Sequence, residues 1–275
     1  MNLRFTSLKK MITSLQNQRI KDVVKLSNAR ERRRQNLFLI EGARELSLAV
    51  SVGDYGVKKI FVCDELLSIE AKILIRKWDI PVEKVSAEVF RKMAYREESD
   101  GIIAVSKPKR LSFDEIHLSA NPFVIVLESV EKPGNLGAIL RTADAARVDA
   151  VIVCDPKTDI YNPNTIRSSI GCVFTQQIVA CTSEEALQWL KQAGVCIFAA
   201  ELTASEWYHK ADFTQPTAIV MGTEADGLTD FWLRNADCRI KIPMRGYIDS
   251  LNVSVSTAVI TFEAMRQREF LISNF

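Results

Sequence analysis

Short apolar runs alternate with amphipathic segments over the second half of the chain. The run at 123–127 is uninterrupted and apolar, which is typical of a central parallel strand covered on both faces. The alternation predicts a mostly parallel α/β sheet with helices on both faces. The predicted strands are 123–127, 150–154, 173–179, 195–199, 218–221 and 238–242, and the predicted helices are 136–147, 165–170, 183–192, 229–235 and 252–270.

The first half alternates in the same way but with shorter elements. Its predicted helices are 20–34, 43–52, 65–78 and 87–94, and its predicted strands are 36–40, 57–62, 82–85 and 102–105. Such a pattern predicts a compact α/β unit of about 90 residues, within the normal size of a domain. Residues 107–121 have no clean period and carry charged and turn-forming residues, which is typical of a linker. The predicted organisation is an extension (1–18), a first domain (19–106), a linker (107–121) and a second domain (122–275).

Three loops of the second domain contain glycine and join a predicted strand to a predicted helix. They cover residues 132–137, 221–227 and 242–254. Ligands of parallel α/β sheets bind at the carboxyl ends of the strands, where all three loops lie. We therefore expect them to form one site. Neither G-x-G-x-x-G nor G-x-x-x-x-G-K-[ST] occurs, which argues against a dinucleotide or P-loop site in its usual form.

Each loop also has a purely structural interpretation. Asn135 suits the N-cap of the helix that follows it. Gly222 and Gly227 suit turn positions with positive φ. Ser250 and Asn252 suit the cap of the last helix.

Two charged residues near the loops have competing interpretations as well. Arg141 could pair with Asp144 on a solvated helix face, which contributes only a few tenths of a kcal/mol. Glu224 competes with Asp226 as the functional carboxylate of the second loop. Neither of the two histidines lies in these loops, so a Ser/His/Asp or Cys/His set cannot be argued.

Composition narrows the class of protein without naming a function. The chain has 275 residues, 47% of them hydrophobic and 25% charged, which is ordinary for a soluble globular protein. No uncharged apolar run approaches the roughly 18 residues of a membrane helix, and the N-terminus lacks the apolar core of a signal peptide. We expect a cytoplasmic protein without a membrane partner. The six cysteines occur singly, without a C-x-x-C pair, which predicts buried reduced thiols and no metal site.

Charge is more informative in its distribution than in its sum. A net charge of +2 does not demand a nucleic-acid partner. Basic residues nevertheless cluster early in the chain, at Lys21, Lys25, Arg30, Arg32, Arg33, Arg34 and Arg44. Such a cluster attracts phosphates, although a solvated helix face explains it equally well.

The three loops together match the pattern of a known family. The first motif is NLGAILRTA (135–143), the second is MGTEADGL (221–228), and the third is IPMRG (242–246) followed by SLNVS (250–254). The chain resembles the SpoU (TrmH-type) family of RNA 2′-O-ribose methyltransferases in the SPOUT class. The segment RQNLFLIEG (34–42) is similar to the start of that family's N-terminal substrate-binding domain.

The resemblance implies a fold, a reaction and partners. The fold would be α/β, with a C-terminal parallel-sheet domain tied in a trefoil knot and a smaller N-terminal α/β domain similar to ribosomal RNA-binding proteins. The protein would be a homodimer paired through the knotted domain and would use S-adenosylmethionine. Ribosomal RNA is the favoured substrate. The alternatives are a tRNA 2′-O-methyltransferase, a methyltransferase acting on tRNA bases, and a catalytically inactive RNA-binding member of the fold.

The resemblance also implies roles for single residues. Arg141 would activate the ribose 2′-hydroxyl with support from Asn135 and Glu224, and Ser250 and Asn252 would line the transfer pocket. The expected cofactor-binding residues are Gly222, Thr223, Ile242, Met244 and Leu251. The expected RNA-binding residues are Lys25, Arg30, Arg32, Arg33 and Arg34. Because the pKa of a guanidinium lies above about 12, Arg141 suits electrostatic stabilisation better than the general-base role that the family suggests.

Overall fold

The computed structural model describes residues 11–53, 55–96 and 99–269. The chain divides into two compact units, one of Met1–Lys109 with Tyr161–Arg167 and one of Arg110–Ile160 with Ser168–Phe275. Ile12 pairs with Val85 as a parallel β-bridge, so the described part of the predicted extension belongs to the first unit.

A four-stranded mixed sheet forms the centre of the first unit. Its helices are α1 (Gln18–Lys25), α2 (Ala29–Gln35), α3 (Ala43–Val52), α4 (Ile69–Ile75) and α5 (Ala87–Met93), and its strands are β1 (Phe38–Glu41), β2 (Val57–Val62), β3 (Val82–Lys84) and β4 (Ile102–Ser106). The strand order is β1-β4-β2-β3. Strands β1 and β2 run antiparallel to β4, whereas β3 runs parallel to β2.

The single helix predicted over 20–34 is wrong, because the chain turns between α1 and α2. Asn28 starts the second helix by accepting a hydrogen bond from the Arg30 amide. The buried Arg32 guanidinium donates to the carbonyl groups of Leu26 and Ser27, both at 2.8 Å, and so holds the turn. Helix and turn signals overlap in this basic segment, and only the side-chain hydrogen bonds decide between them.

A seven-stranded sheet forms the centre of the second unit. The second half of the chain contains β5 (Phe123–Glu128), α6 (Pro133–Ala145), β6 (Ala150–Cys154), α7 (Pro163–Ser168), α8 (Cys172–Thr175), β7 (Ile178–Cys181), α9 (Ser183–Gln192), β8 (Cys196–Ala200), β9 (Glu206–Trp207), β10 (Thr217–Met221), α10 (Asp230–Asn235), β11 (Cys238–Lys241) and α11 (Val253–Glu269), with 3₁₀ turns at Phe113–Glu115 and Tyr208–Lys210. The order β7-β6-β5-β10-β8-β11-β9 is parallel at every pairing. The predicted parallel α/β architecture is confirmed.

Three local predictions in the second half differ from the structure. The strand predicted over 173–179 is wrong in its first half, which forms α8, since short buried apolar runs fit a helix and a strand equally well. Helix α6 begins at Pro133, whose fixed φ suits a first turn, so Asn135 lies inside the helix and not at its cap. The two-residue strand β9 lies between the predicted strands 195–199 and 218–221, where the pattern predicted neither a helix nor a strand.

The boundary between the two units falls within the predicted linker, but part of that segment is packed. Leu111, Ile116 and Leu118 lie against the core of the second unit. Phe113 stacks on Trp189 with ring centroids 4.9 Å apart. The C-terminal part of the segment therefore belongs to the second unit.

All six cysteines lie outside disulfides, and the prediction that they are buried holds for only half of them. Buried thiols occur at Cys63, Cys154 and Cys172, and partly exposed ones at Cys181, Cys196 and Cys238, all outside disulfides. The hydrogen bond with Cys181, together with burial, raises the pKa of the Cys154 thiol well above its ordinary value.

In the described ranges no helix is long and apolar enough to cross a bilayer.

Candidate active site

Three strand-to-helix connections meet at the carboxyl edge of the seven-stranded sheet. They are the β5–α6 loop, the β10–α10 loop and the β11–α11 loop, and they coincide with the three motifs of the sequence. Strands β5 and β10 are neighbours, and β8 lies between β10 and β11. Because all these strands run parallel, their carboxyl ends point the same way and bring the loops to one edge.

Side chains from the three loops form one hydrogen-bonded chain. The Asn135 amide nitrogen donates to Oε1 of Glu224. The Asn252 amide nitrogen in turn donates to Oδ1 of Asn135 at 3.2 Å. Asn252 also accepts hydrogen bonds from the amide and hydroxyl of Ser254, so the capping interpretation of this residue holds alongside the functional one.

The β10–α10 loop is tight, and it selects Glu224 over Asp226. Thr223 and Gly227 exchange two backbone hydrogen bonds of 3.0 and 3.2 Å across the loop. Gly227 has a φ of +68°, as the turn interpretation requires. Asp226 is exposed, and its amide donates to the Thr223 hydroxyl. Glu224 is half-buried and faces Asn135, so it is the carboxylate of the site.

A second link between the first two loops was missed at the level of sequence. Glu128, the last residue of β5, is 4% exposed and accepts from the Thr229 amide at 2.8 Å and from its hydroxyl at 2.7 Å. Thr229 is the N-cap residue of α10. Glu128 therefore fixes the far end of the loop that carries Glu224. The signal available in the sequence is a carboxylate that ends an apolar strand at the ligand-binding edge.

Arg141 and Ser250 lie outside the hydrogen-bonded chain. The Arg141 guanidinium is exposed on α6, and within the described ranges it makes no hydrogen bond or ion pair. The alternative pairing with Asp144 does not form, since that carboxylate accepts from the Thr175 hydroxyl at 2.7 Å. The Ser250 hydroxyl is exposed and donates to Asp249. Both side chains are thus available to a ligand.

The β11–α11 loop combines apolar side chains with unused backbone groups. Ile242 and Met244 are half-buried, and Leu251 is 36% exposed. Among the described residues, no backbone–backbone hydrogen bond involves positions 243–251. An apolar surface beside open donor and acceptor groups fits the face and the edge of an adenine ring. The expected cofactor residues Gly222 and Thr223 lie across the site, at the end of β10.

The expected RNA-binding residues are not equivalent. Arg32 is 4% exposed and holds the α1–α2 turn, so it does not fit a role in RNA contact. Lys25 pairs with Asp22 at 3.0 Å, and Arg34 pairs with Glu31 at 2.7 Å. The hydrogen bond from Arg34 lowers the pKa of the Glu31 carboxyl. Two exposed cations remain, Arg30 and Arg33, and neither has an ion-pair partner within the described part of the chain.

The candidate metal ligands of the described residues, which are His, Cys, Asp and Glu side chains, do not cluster. Over the ranges that the structure describes, no three His, Cys, Asp or Glu side chains are grouped so that they could hold a metal ion.

Comparison with known proteins gives matches over both units. Residues 122–262 match the SpoU rRNA Methylase family, and residues 17–104 match the MRM3-like substrate binding domain. The 23S rRNA (guanosine(2553)-2′-O)-methyltransferase RlmP of Bacillus subtilis is 31% identical over 253 residues, which are 92% of this chain and 98% of that protein.

Two solved structures match this chain over more than nine-tenths of its length. The crystal structure of an RNA 2′-O ribose methyltransferase matches with a TM-score of 0.84 and 38% identity, over 94% of this chain and 99% of that one. The SpoU methyltransferase AviRb of Streptomyces viridochromogenes, in complex with AdoMet, matches with a TM-score of 0.84 and 28% identity, over 91% and 98% of the two chains.

Proposed function

This chain belongs to the SpoU rRNA methylase family, and we propose that it is an S-adenosylmethionine-dependent RNA 2′-O-ribose methyltransferase. The observation that carries the proposal is the hydrogen-bonded chain Glu224–Asn135–Asn252, which joins the three motif loops at one edge of the sheet. Ribosomal RNA is the favoured substrate, because the Bacillus subtilis relative is named as a 23S rRNA methyltransferase. This substrate would place the protein in the cytoplasm.

The cofactor fits the residues that surround the loops. Ile242, Met244 and Leu251 supply apolar surface, and the open backbone of the β11–α11 loop supplies donors and acceptors for adenine and ribose. Gly222 and Thr223 would close the opposite wall. S-adenosylmethionine supplies a methyl group activated by its positively charged sulfur.

The residues of the chain supply orientation and charge. Asn135 is held between Glu224 and Asn252, so its amide is fixed in direction before substrate arrives, and fixed orientation lowers the barrier of a two-substrate reaction. Ser250 and Asn252 would line the pocket beside the ribose. Arg141 would stabilise the negative charge that develops on the 2′-oxygen as its proton leaves, since a guanidinium stays cationic at neutral pH.

Mapping of 2′-O-methyl groups tests the function. Total RNA from cells with and without the protein is expected to differ at one or a few ribose positions of ribosomal RNA, and the purified protein should restore them with S-adenosylmethionine. A difference confined to tRNA would favour the tRNA alternative. Cofactor binding with no methyl transfer to any RNA would favour an inactive RNA-binding protein.

The RNA surface of the first unit is proposed to centre on Arg30 and Arg33. Replacing both by alanine is expected to weaken RNA binding and to reduce the slope of log K against log salt by about 2, because each phosphate contact releases about one counterion. Arg32→Ala is the matched control, and it should lower the melting temperature because the carbonyl groups of Leu26 and Ser27 lose their donor. An unchanged salt slope in the double variant would place the RNA surface elsewhere.

A homodimer and a trefoil knot complete the proposal. Helix α11 has buried apolar residues on one side, such as Ile260, yet it also exposes Val255 and Phe262, the latter by 46%. Exposed apolar side chains on a helix whose other side is already buried are typical of a contact with another protein surface, and a second copy of this chain is the proposed cover. Analytical ultracentrifugation should find twice the chain mass of 31.0 kDa, and a particle of single-chain mass would contradict the dimer.

A further inference from the structure

The first unit contains a cavity that the methyl-transfer site does not use. Its volume is about 260 Å³, roughly nine times the volume that one water molecule occupies in the liquid. Leu39, Met93 and Ile103 supply apolar walls. The polar lining residues are Ser27, Glu41, Lys92, Tyr95 and Arg96. Apolar walls combined with convergent polar groups are typical of a ligand pocket.

A carboxylate in a fixed position lines the cavity. Glu41 ends β1, and its two oxygens accept from the amides of Tyr95 at 2.7 Å and Arg96 at 3.2 Å. Each carboxylate oxygen has a second lone pair, so the group can accept hydrogen bonds beyond those of the two amides. Burial raises the pKa of the Glu41 carboxyl, whereas the two amides, the positive charge of Arg96 and the Ser99 hydroxyl lower it. The two amides hold the acceptor oxygens of Glu41 in place before a ligand arrives.

The rim of the cavity offers a ring for stacking and positive charge for a phosphate. Tyr95 is 53% exposed although it lies beside buried Met93. Lys92 is exposed at the same rim. Ser27 belongs to the α1–α2 turn, directly before the helix that carries Arg30 and Arg33. Aromatic side chains stack on unpaired RNA bases, and neighbouring cations bind the backbone.

We propose that this cavity binds one unpaired guanine base of the RNA substrate, with its Watson–Crick edge on the Glu41 carboxylate and its face against Tyr95. Guanine is the base that presents two adjacent N–H donors on that edge, which match the two oxygens of a carboxylate. Adenine, cytosine and uracil each present one donor group there. The inference rests on the proposed action on RNA, but it assigns a contact outside the transfer site.

Methionine methyl NMR on the full-length protein provides a test that does not depend on turnover. Met93 lines the cavity, whereas Met244 lies at the proposed cofactor site. Titration with guanosine 5′-monophosphate should shift the Met93 methyl signal, and titration with S-adenosylmethionine should shift that of Met244. Inosine 5′-monophosphate keeps the phosphate and the ring but lacks the exocyclic amine, so it should bind about tenfold more weakly.

Glu41→Gln should remove this preference, because an amide offers one acceptor oxygen in place of two. The comparison of the two nucleotides in the unchanged protein decides the question even if that variant folds poorly. Equal affinity for both nucleotides, or a Met93 signal that does not respond, would overturn the inference. A Met93 response in a protein that transfers no methyl group would leave the pocket standing and refute the proposed function. A protein that transfers methyl groups but shows no Met93 response would refute the pocket and leave the proposed function standing.

Discussion

Replacement of Arg141 by alanine is expected to reduce methyl transfer by about 10²–10³-fold while S-adenosylmethionine binding stays the same. The guanidinium is exposed on α6 and makes no ion pair within the described residues, so its removal costs the fold little. Its positive charge matches the charge requirement of a developing alkoxide. Single-turnover methyl transfer and calorimetric cofactor binding measure the two effects separately.

Arg234→Ala is the matched control for this variant. Arg234 is also an exposed helical arginine, paired with Asp230 on the surface of α10, and its removal should leave turnover and stability nearly unchanged. Near-normal turnover in Arg141→Ala would refute the catalytic role.

Arg141→Lys separates the two chemical roles of the residue. If the cation stabilises charge, the lysine variant keeps part of its activity and loses it as pH rises above the ordinary lysine pKa of about 10.4, where the amine becomes neutral. If Arg141 is a general base, the lysine variant gains activity toward the same pH, because a base acts in its neutral form. The sign of the pH dependence therefore decides between the roles.

Much of the fold follows from the apolar pattern because that pattern carries the main energy of folding. The predicted elements at 43–52, 57–62, 150–154 and 183–192 agree with α3, β2, β6 and α9 to the residue. Each has a clear period or a buried run between polar ends. The single helix predicted over 20–34 is wrong because side-chain hydrogen bonds override the apolar pattern there. Asn28 and Arg32 turn the chain within a segment whose pattern is helical.

The meeting of the three loops at one edge of the sheet is easier to predict from sequence than the buried contacts that hold the structure around them. Asn135, Glu224 and Asn252 follow parallel strands, so topology alone brings them to one edge. The sequence offers only a general signal for Glu128, a carboxylate at the end of an apolar strand, because its function depends on a partner 101 positions away. The burial of Arg32 was hidden for a similar reason, since a row of arginines looks the same whether it faces water or a carbonyl group.

Gly222→Ala is expected to damage the site by a steric route. A Cβ at this position would lie 2.1 Å from the carbonyl carbon of Gly227 and 2.4 Å from the amide nitrogen of Leu228. These are backbone atoms, so no side chain can rotate away. The adjacent Thr223 is bound to Gly227 by two backbone hydrogen bonds, which must break if the strands of the loop separate.

The cost of that separation should be about 3 kcal/mol, at the upper end of overpacking effects, and should lower the melting temperature by roughly 6–12 °C. The surviving folded protein should also bind S-adenosylmethionine poorly and transfer methyl slowly, because Glu224 sits in the displaced loop. Gly246→Ala is the control, since a Cβ there meets nothing within 4 Å and should change stability by less than about 0.5 kcal/mol. Equal melting temperatures for the two variants would show that the β10–α10 loop is not closed in solution. A selective loss for Gly222→Ala would mean that a glycine without positive φ is required here for close backbone approach, which is the geometry that holds Glu224 against Asn135.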